Sequence, residues 1–189
     1  MKIISKHLND GVIVFQPNVF EDHRGFFCET YRKDIMQNLG FNEEFVQDNH
    51  SRSNYGVLRG LHFQWSPPMG KLMRVTQGSC FLVAVDIRHG SSTLGKWFGT
   101  EVSASNKLQI WAPAGFARGF CVTSDWAEIQ YKCTGVYNKN YENGIAWDDT
   151  DIGIDWPIKD PILSDRDSKA LKLHEWLKTE DSLNFSFKG

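Results

Sequence analysis

Short runs of β-branched and aromatic residues recur along this chain with Gly, Pro, Asn and Asp between them. No other feature of the sequence narrows its possible folds as much. Runs of this kind at close spacing point to an all-β sandwich or barrel. They predict eleven strands: Val12 to Phe15, Phe26 to Tyr31, Phe45 to Gln47, Val57 to Gln64, Leu72 to Thr76, Phe81 to Arg88, Trp97 to Val102, Leu108 to Trp111, Gly119 to Thr123, Glu128 to Thr134 and Ile145 to Trp147. No internal repeat accompanies them. Helical signals are confined to two places. Lys33 to Leu39 is closed by Gly40 as a C-cap. A second stretch, Asp165 to about Leu177, has Ser164 three residues before Asp167 in a capping pattern, with Ala170, Leu171, His174 and Leu177 on one stripe. The expectation is an all-β jelly roll with a few short helices, one of them near the C-terminus. The 189 residues suit a single domain. Its core is expected at about 45–150, with an N-terminal arm at about 1–44 and a C-terminal helical segment at about 160–189. For the tail from Lys178 to Gly189, an edge strand and a frayed end are both open.

Composition removes several classes of function. Lys and Arg number 21 against 23 Asp and Glu, a formal charge of −2, which is too balanced for a nucleic-acid binder. No window approaches the roughly 20 apolar residues of a membrane span, and MKIISKHLND turns polar too early for a signal peptide, so a cytoplasmic protein is expected. Cys28, Cys80, Cys121 and Cys133 lie far apart without a CxxC pair, and read as reduced, mostly buried thiols.

Chemistry concentrates in a few strands. In GVLRGLHFQ (56–64) period two sends Arg59 and His62 to opposite faces. A glycine within a strand often marks a bulge, and a bulge at Gly60 would let both side chains enter one cavity. The plainer alternative is a hydrogen-bonded core histidine with an arginine at the sheet edge. Lys71 shares a face with Met73 and Val75. Tyr131 shares one with Ala127, Ile129 and Cys133, while Lys132 points outward. A buried tyrosine with its hydroxyl tied off is the common reading of such a residue. Together, however, His62, Lys71 and Tyr131 supply a base, an oxyanion stabiliser and an acid, the set needed to move a proton beside a carbonyl. No metal is expected. PAGFARGF (113–120) resembles the Pro-x-Gly-x-x-His signature of cupins but carries Arg118 at the ligand position, and the six histidines show no ligand spacing. No GxGxxG or P-loop string is present, so no cofactor is expected either.

The strings FEDHRGFFCETY (20–31), FVQDNHSRS (45–53), GVLRGLHFQ, GKLMRV (70–75), VAVDIR (83–88), YKCT (131–134), DIGIDWP (151–157) and LSDRD (163–167) run in order through nearly the whole chain. Together they resemble the dTDP-4-dehydrorhamnose 3,5-epimerase family. The resemblance implies a cupin-type jelly roll and a homodimer joined through the N-terminal arm. It also implies cofactor-free epimerisation of a nucleotide-diphospho-sugar, a 4-keto-6-deoxyhexose. By the same resemblance His62 matches the general base, Asp167 its carboxylate partner, Lys71 the lysine near the sugar 4-oxygen, and Tyr131 the phenol on the other side of the ring. Arg24 and Arg59 match diphosphate contacts, and Glu29, Gln47 and Asn49 match residues lining the nucleotide and sugar pocket. Phe27, Tyr137 and Arg118 complete the expected substrate-binding set. The chain departs from the family pattern at Val136, which replaces the first tyrosine of a pair, and at Arg118, where the family usually reads GFAHGF. Arg118 is expected to contact diphosphate, a sugar hydroxyl or a base carbonyl, and so to change substrate choice; the alternative is an arginine turned outward into a salt bridge. A 3-epimerase acting on a CDP- or GDP-linked sugar, and a noncatalytic sugar-nucleotide binder, are the other readings.

Overall fold

In the computed structural model, which describes residues 1–187, the apolar runs become strands that pair almost entirely antiparallel. One sheet holds β1 (Lys2–His7), β2 (Val12–Gln16), β5 (Gln47–Asn54), β7 (Lys71–Gln77), β10 (Gln109–Ala112) and β12 (Trp126–Cys133), in the order β1-β2-β10-β7-β12-β5. The other holds β6 (Leu58–Gln64), β8 (Ser79–Asp86), β9 (Trp97–Ser103), β11 (Phe116–Val122) and β13 (Glu142–Gly144), in the order β13-β6-β11-β8-β9. A separate hairpin joins β3 (Val19–Asp22) to β4 (Gly25–Cys28).

Alternation along the strands fills the space between the two sheets. Val12, Met73, Val75, Ile110 and Ile129 from the six-stranded sheet meet Leu82, Phe116, Phe120 and Val122 from the five-stranded one. Each large side chain withdrawn from water here contributes about 1.5–3 kcal/mol. Both outer faces are covered as well. Met36 of helix α1 (Lys33–Asn38) packs with Phe15, Phe41, Leu72 and Trp111 outside the six-stranded sheet. Leu173 and Trp176 of helix α2 (Leu173–Trp176) pack with Phe63, Val85 and Phe185 outside the five-stranded one. This is the jelly roll that the strand pattern predicts, of the cupin type that the resemblance implies. The cysteines are free thiols, and Cys80, Cys121 and Cys133 are buried.

Several expectations change in detail. β1 and β2 extend the six-stranded sheet beside β10, so the first sixteen residues belong to the core sheet, and only the β3–β4 hairpin stands apart from it. The strand expected at Phe45–Gln47 instead begins at Gln47 and runs to Asn54, paired with β12 along all of its length. The expected helix from Asp165 to Leu177 breaks into a 3-10 turn at Asp167–Lys169 and the single-turn α2. Between them Ala170 is extended, because Leu171 bridges to Ile145 and its carbonyl accepts from Ala146 N at 2.7 Å. Tertiary pairing overrides the helical stripe, and Leu173 and Trp176 become the buried residues in place of Leu171 and His174. Ile145 bridges Leu171 and exchanges main-chain bonds with Leu61 at 2.9 and 3.1 Å, and the strand expected at Ile145–Trp147 lies earlier, at Glu142–Gly144. Of the tail, Glu180–Asn184 is a 3-10 turn, and residues 188 and 189 lie outside the described residues.

Candidate active site

The bulge anticipated at Gly60 is present. Arg118 pairs with His62 and Phe120 with Arg59, so β6 spends one more residue than β11 over the same length. Gly60 sits at φ +141°, and a Cβ there would lie 2.5 Å from the Cα of Gly119. The offset brings Arg59 and His62 to one cavity of about 190 Å3, lined also by Ser51, Lys71, Met73, Arg118, Phe120 and Tyr131. The cavity is walled on both sides: His62 and Arg118 come from the five-stranded sheet, Lys71 and Tyr131 from the six-stranded one.

His62 is 25% exposed, and its Nε2 lies 2.6 Å from Oδ1 of Asp167, which is 4% exposed. Asp167 is held in turn. Its Oδ2 accepts from Gly60 N at 3.4 Å, and its own N donates to Ser164 Oγ at 3.1 Å, the contact the capping pattern suggested. Burial pushes this carboxyl upward, but the bonds from His62, Gly60 and Ser164 outweigh it and hold Asp167 below the ordinary value. An ionised Asp167 favours the proton on Nε2, which leaves the Nδ1 lone pair of His62 free to accept one.

Lys71 Nζ lies 5.0 Å from the Tyr131 ring centroid. Burial, followed by the charge of Arg118, lowers Lys71 to about 8, while Cys133 and Glu142 act in the opposite sense and Arg166 adds to the lowering. Tyr131 is raised, chiefly by burial and next by Cys133, so its phenol keeps its proton at neutral pH. Arg118 is 3% exposed and does not turn outward to a carboxylate. Its Nη1 donates to three main-chain carbonyls, Met69 at 2.7 Å, Ala112 at 3.1 Å and Pro113 at 3.3 Å. Nε and Nη2 are buried without a partner. Burial lowers its pKa to about 10, which still leaves the guanidinium charged at neutral pH.

Exposed Arg59 stands at the open end of the cavity, its Nε donating to Ser53 Oγ at 3.0 Å. Asn49 pairs with Tyr131 across β5 and β12. Gln47 Nε2 donates to Asn49 Oδ1 at 2.9 Å, and its Oε1 accepts from the main-chain N of Tyr137 at 2.8 Å, while the exposed Tyr137 side chain reaches Glu142 and Arg166. Arg24, Phe27 and Glu29 are not brought to the cavity by this chain. Arg24 pairs with Asp22 at 2.6 Å, Phe27 is 63% exposed, and Glu29 pairs with Arg32 at 3.2 Å. Sequence reasoning missed the ion pair between Arg166 and Glu142, whose charges both reach Lys71. The nearest signal was the place of Arg166 in LSDRD, one residue before Asp167. Among the described residues, no three His, Cys, Asp or Glu side chains are grouped to hold a metal ion.

Comparison with known proteins gives a consistent answer. A family model described as dTDP-4-dehydrorhamnose 3,5-epimerase matches residues 7–175. The dTDP-4-dehydrorhamnose 3,5-epimerase of Shigella flexneri is 51% identical over 174 residues, covering 91% of this chain and 96% of that protein. Its counterpart in Pseudomonas aeruginosa is 52% identical over 161 residues, covering 84% and 89%. The crystal structure of dTDP-6-deoxy-D-glucose-3,5-epimerase from Legionella pneumophila, in complex with dTDP-4-keto-L-rhamnose, superposes with a TM-score of 0.93 at 42% identity, covering 100% of this chain and 99% of that one.

Proposed function

The chain belongs to the dTDP-4-dehydrorhamnose 3,5-epimerase family of isomerases, and from that premise we propose that it inverts C3 and C5 of a dTDP-linked 4-keto-6-deoxyhexose. The observation that carries this reading is the opposition of His62 and Tyr131 on the two walls of one cavity, with Lys71 beside the phenol. C3 and C5 both flank the C4 ketone. A single cationic site at the C4 oxygen therefore serves both centres.

In the first half-reaction Nδ1 of His62 takes the proton from carbon, and the electron pair moves onto the C4 oxygen as an enolate. The Lys71 ammonium stabilises that charge in a desolvated site. In the second half the phenol of Tyr131 gives its proton to the same carbon from the opposite side, which inverts the centre. The phenolate and the imidazolium then exchange protons with solvent. One proton leaves and one arrives with no net oxidation, so the reaction needs no hydride carrier. Asp167 keeps the base in its productive tautomer.

Arg59 at the open end is suited to a diphosphate, which it can bond through two parallel donors. Gln47, Asn49 and Tyr137 border the approach to the sugar and the nucleotide. Arg24, Phe27 and Glu29 complete the site in our reading from the second copy of a homodimer. Phe20, Phe26 and Phe27 are each at least 60% exposed on a hairpin paired only with itself, the kind of apolar surface that a partner chain covers. We place the reaction in the cytoplasm, in keeping with four free thiols. Inversion of C3 alone is the second reading, favoured by the altered pocket at Arg118. Incubation with dTDP-, CDP- and GDP-linked 4-keto-6-deoxyhexoses in deuterium oxide, followed by NMR at C3 and C5, tests all of this. Deuterium at both centres of the dTDP sugar is the expected result. Deuterium at C3 only supports the second reading, a preference for the CDP or GDP sugar overturns the nucleotide assignment, and no deuterium in any of them leaves a binder in place of an enzyme.

A further inference from the structure

Arg118 is charged, almost wholly inaccessible to solvent and only half satisfied. One edge of its guanidinium is fixed by the carbonyls of Met69, Ala112 and Pro113, the residues that flank the start of β7 and the end of β10. The other edge, Nε and Nη2, has no partner among the described residues, although buried polar groups are ordinarily bonded. Leaving such donors unpaired costs about 1–3 kcal/mol, so an arginine kept this way signals an acceptor supplied from elsewhere. Among the described residues no carboxylate pairs with Arg118, and the side chain lines the cavity that holds His62 and Lys71. Arg118 lies opposite His62 in the register of β6 and β11, while Arg59 lies opposite Phe120, two residues further along β11. The exposed arginine thus marks the open end of the cavity, and the buried one sits beside the base.

We propose that Nε and Nη2 of Arg118 join Nζ of Lys71 to form one oxyanion site for the sugar C4 oxygen, so that the enolate is held from both walls of the cavity. This rests on the epimerase reading and goes beyond it. It makes Arg118 a catalytic residue, where the sequence suggested only a change in substrate choice. The planar, two-donor edge of a guanidinium suits an oxygen whose charge grows in the transition state, and its own charge does not titrate at working pH. Arg118 also acts on Lys71. Apart from burial it is the strongest influence lowering that amine, against Cys133 on β12 and Glu142 on β13, with Arg166 acting in the same sense as Arg118. A lysine brought close to neutral pH can pass a proton toward the C4 oxygen while the arginine keeps the positive charge in place.

The test compares wild type, Arg118→Gln and Arg118→Lys by C3 deuterium exchange from solvent across pH, by calorimetric titration with dTDP alone, and by thermal melting. Arg118→Gln is expected to lose about 100-fold in exchange kcat, the usual cost of an oxyanion donor. Its affinity for dTDP should stay within about threefold of wild type, and its alkaline limb should move to higher pH as Lys71 is released from the neighbouring charge. Arg118→Lys, which keeps a cation and a donor for the Met69 carbonyl, should recover part of the rate and covers the case in which the glutamine variant fails to fold. An unchanged kcat in either folded variant overturns the inference. So does a fall in dTDP affinity as large as the fall in kcat, which would place Arg118 on the diphosphate. Absence of exchange in wild type overturns the epimerase reading itself, and the inference with it.

Discussion

His62 and Arg24 are both needed by the proposed reaction, yet the fold treats them in opposite ways. The imidazole is fixed in a sheet, at 2.6 Å from a carboxylate that is 4% exposed and itself anchored by Gly60 and Ser164. The guanidinium of Arg24 is 79% exposed and pairs with Asp22, two residues away on its own hairpin. Groups that move protons need fixed orientation before substrate arrives, and strands packed on both faces provide it. Groups that grip a distant nucleotide can be ordered by the encounter, and in the proposed homodimer the hairpin that carries Arg24 is the part left for the second copy to place.

The contrast breaks most directly at His62. His62→Asn should cut C3 exchange by about 1,000-fold or more while leaving the melting curve intact, since His62 is the one histidine among the residues lining the cavity; wild-type exchange by the variant would remove the assignment. Asp167→Asn should cost about 10- to 100-fold in kcat, because the base remains but its tautomer is no longer enforced. A rate and pH profile equal to wild type would dissolve the dyad. The pH dependence is next in size. With Lys71 at about 8, its ammonium is present below that value and is lost as pH rises through it. Exchange should therefore fall by about tenfold per pH unit on the alkaline side, and a profile flat to pH 10 would show that the enolate does not depend on this cation. The hairpin yields the smallest effect on turnover. Arg24→Ala should raise KM by about tenfold with kcat nearly unchanged, and should leave thermal stability as it is because its ion pair is exposed. Mixing Arg24→Ala with His62→Asn and letting subunits exchange sharpens the comparison. Each mixed dimer then regains one native site, so about a quarter of all sites recover if the hairpin serves the partner, and none recover if it serves its own chain.

Much of the cavity was legible because its residues interrupt an apolar pattern. Lys71 and Tyr131 stand where period two calls for core side chains, and Gly60 marks the bulge that reconciles Arg59 with His62. What escaped was structure without a hydropathy signature. β5 reads QDNHSRSN and is specified by its pairing with β12, because its own side chains carry no apolar alternation. β1 is an edge strand whose residues alternate between exposed and half-buried, too weak a pattern to separate from a polar terminus. The C-terminal segment misled in the other direction: its helical stripe is real in sequence, but the bridge from Leu171 to Ile145 interrupts the helix. Arg118 was recognised as unusual from its neighbours in the string, whereas its orphaned edge is a property of three carbonyls that no local sequence announces.

Gly60 and Gly119 set a limit on how this pocket can be resized. A side chain at Gly60 meets the Cα of Gly119 at 2.5 Å, and one at Gly119 meets the carbonyl oxygen of Arg59 at 2.9 Å. Each collision is with main chain, so shrinking a neighbour cannot relieve it and a compensating double substitution does not exist. The separation of Arg59 from His62 is therefore a fixed gauge, insensitive to gradual change, while Phe120 and Met73 lie on the same cavity with replaceable side chains. Libraries that vary those two would sample new sugar shapes on an unchanged frame, whereas libraries that vary either glycine would sample mostly chains that no longer fold.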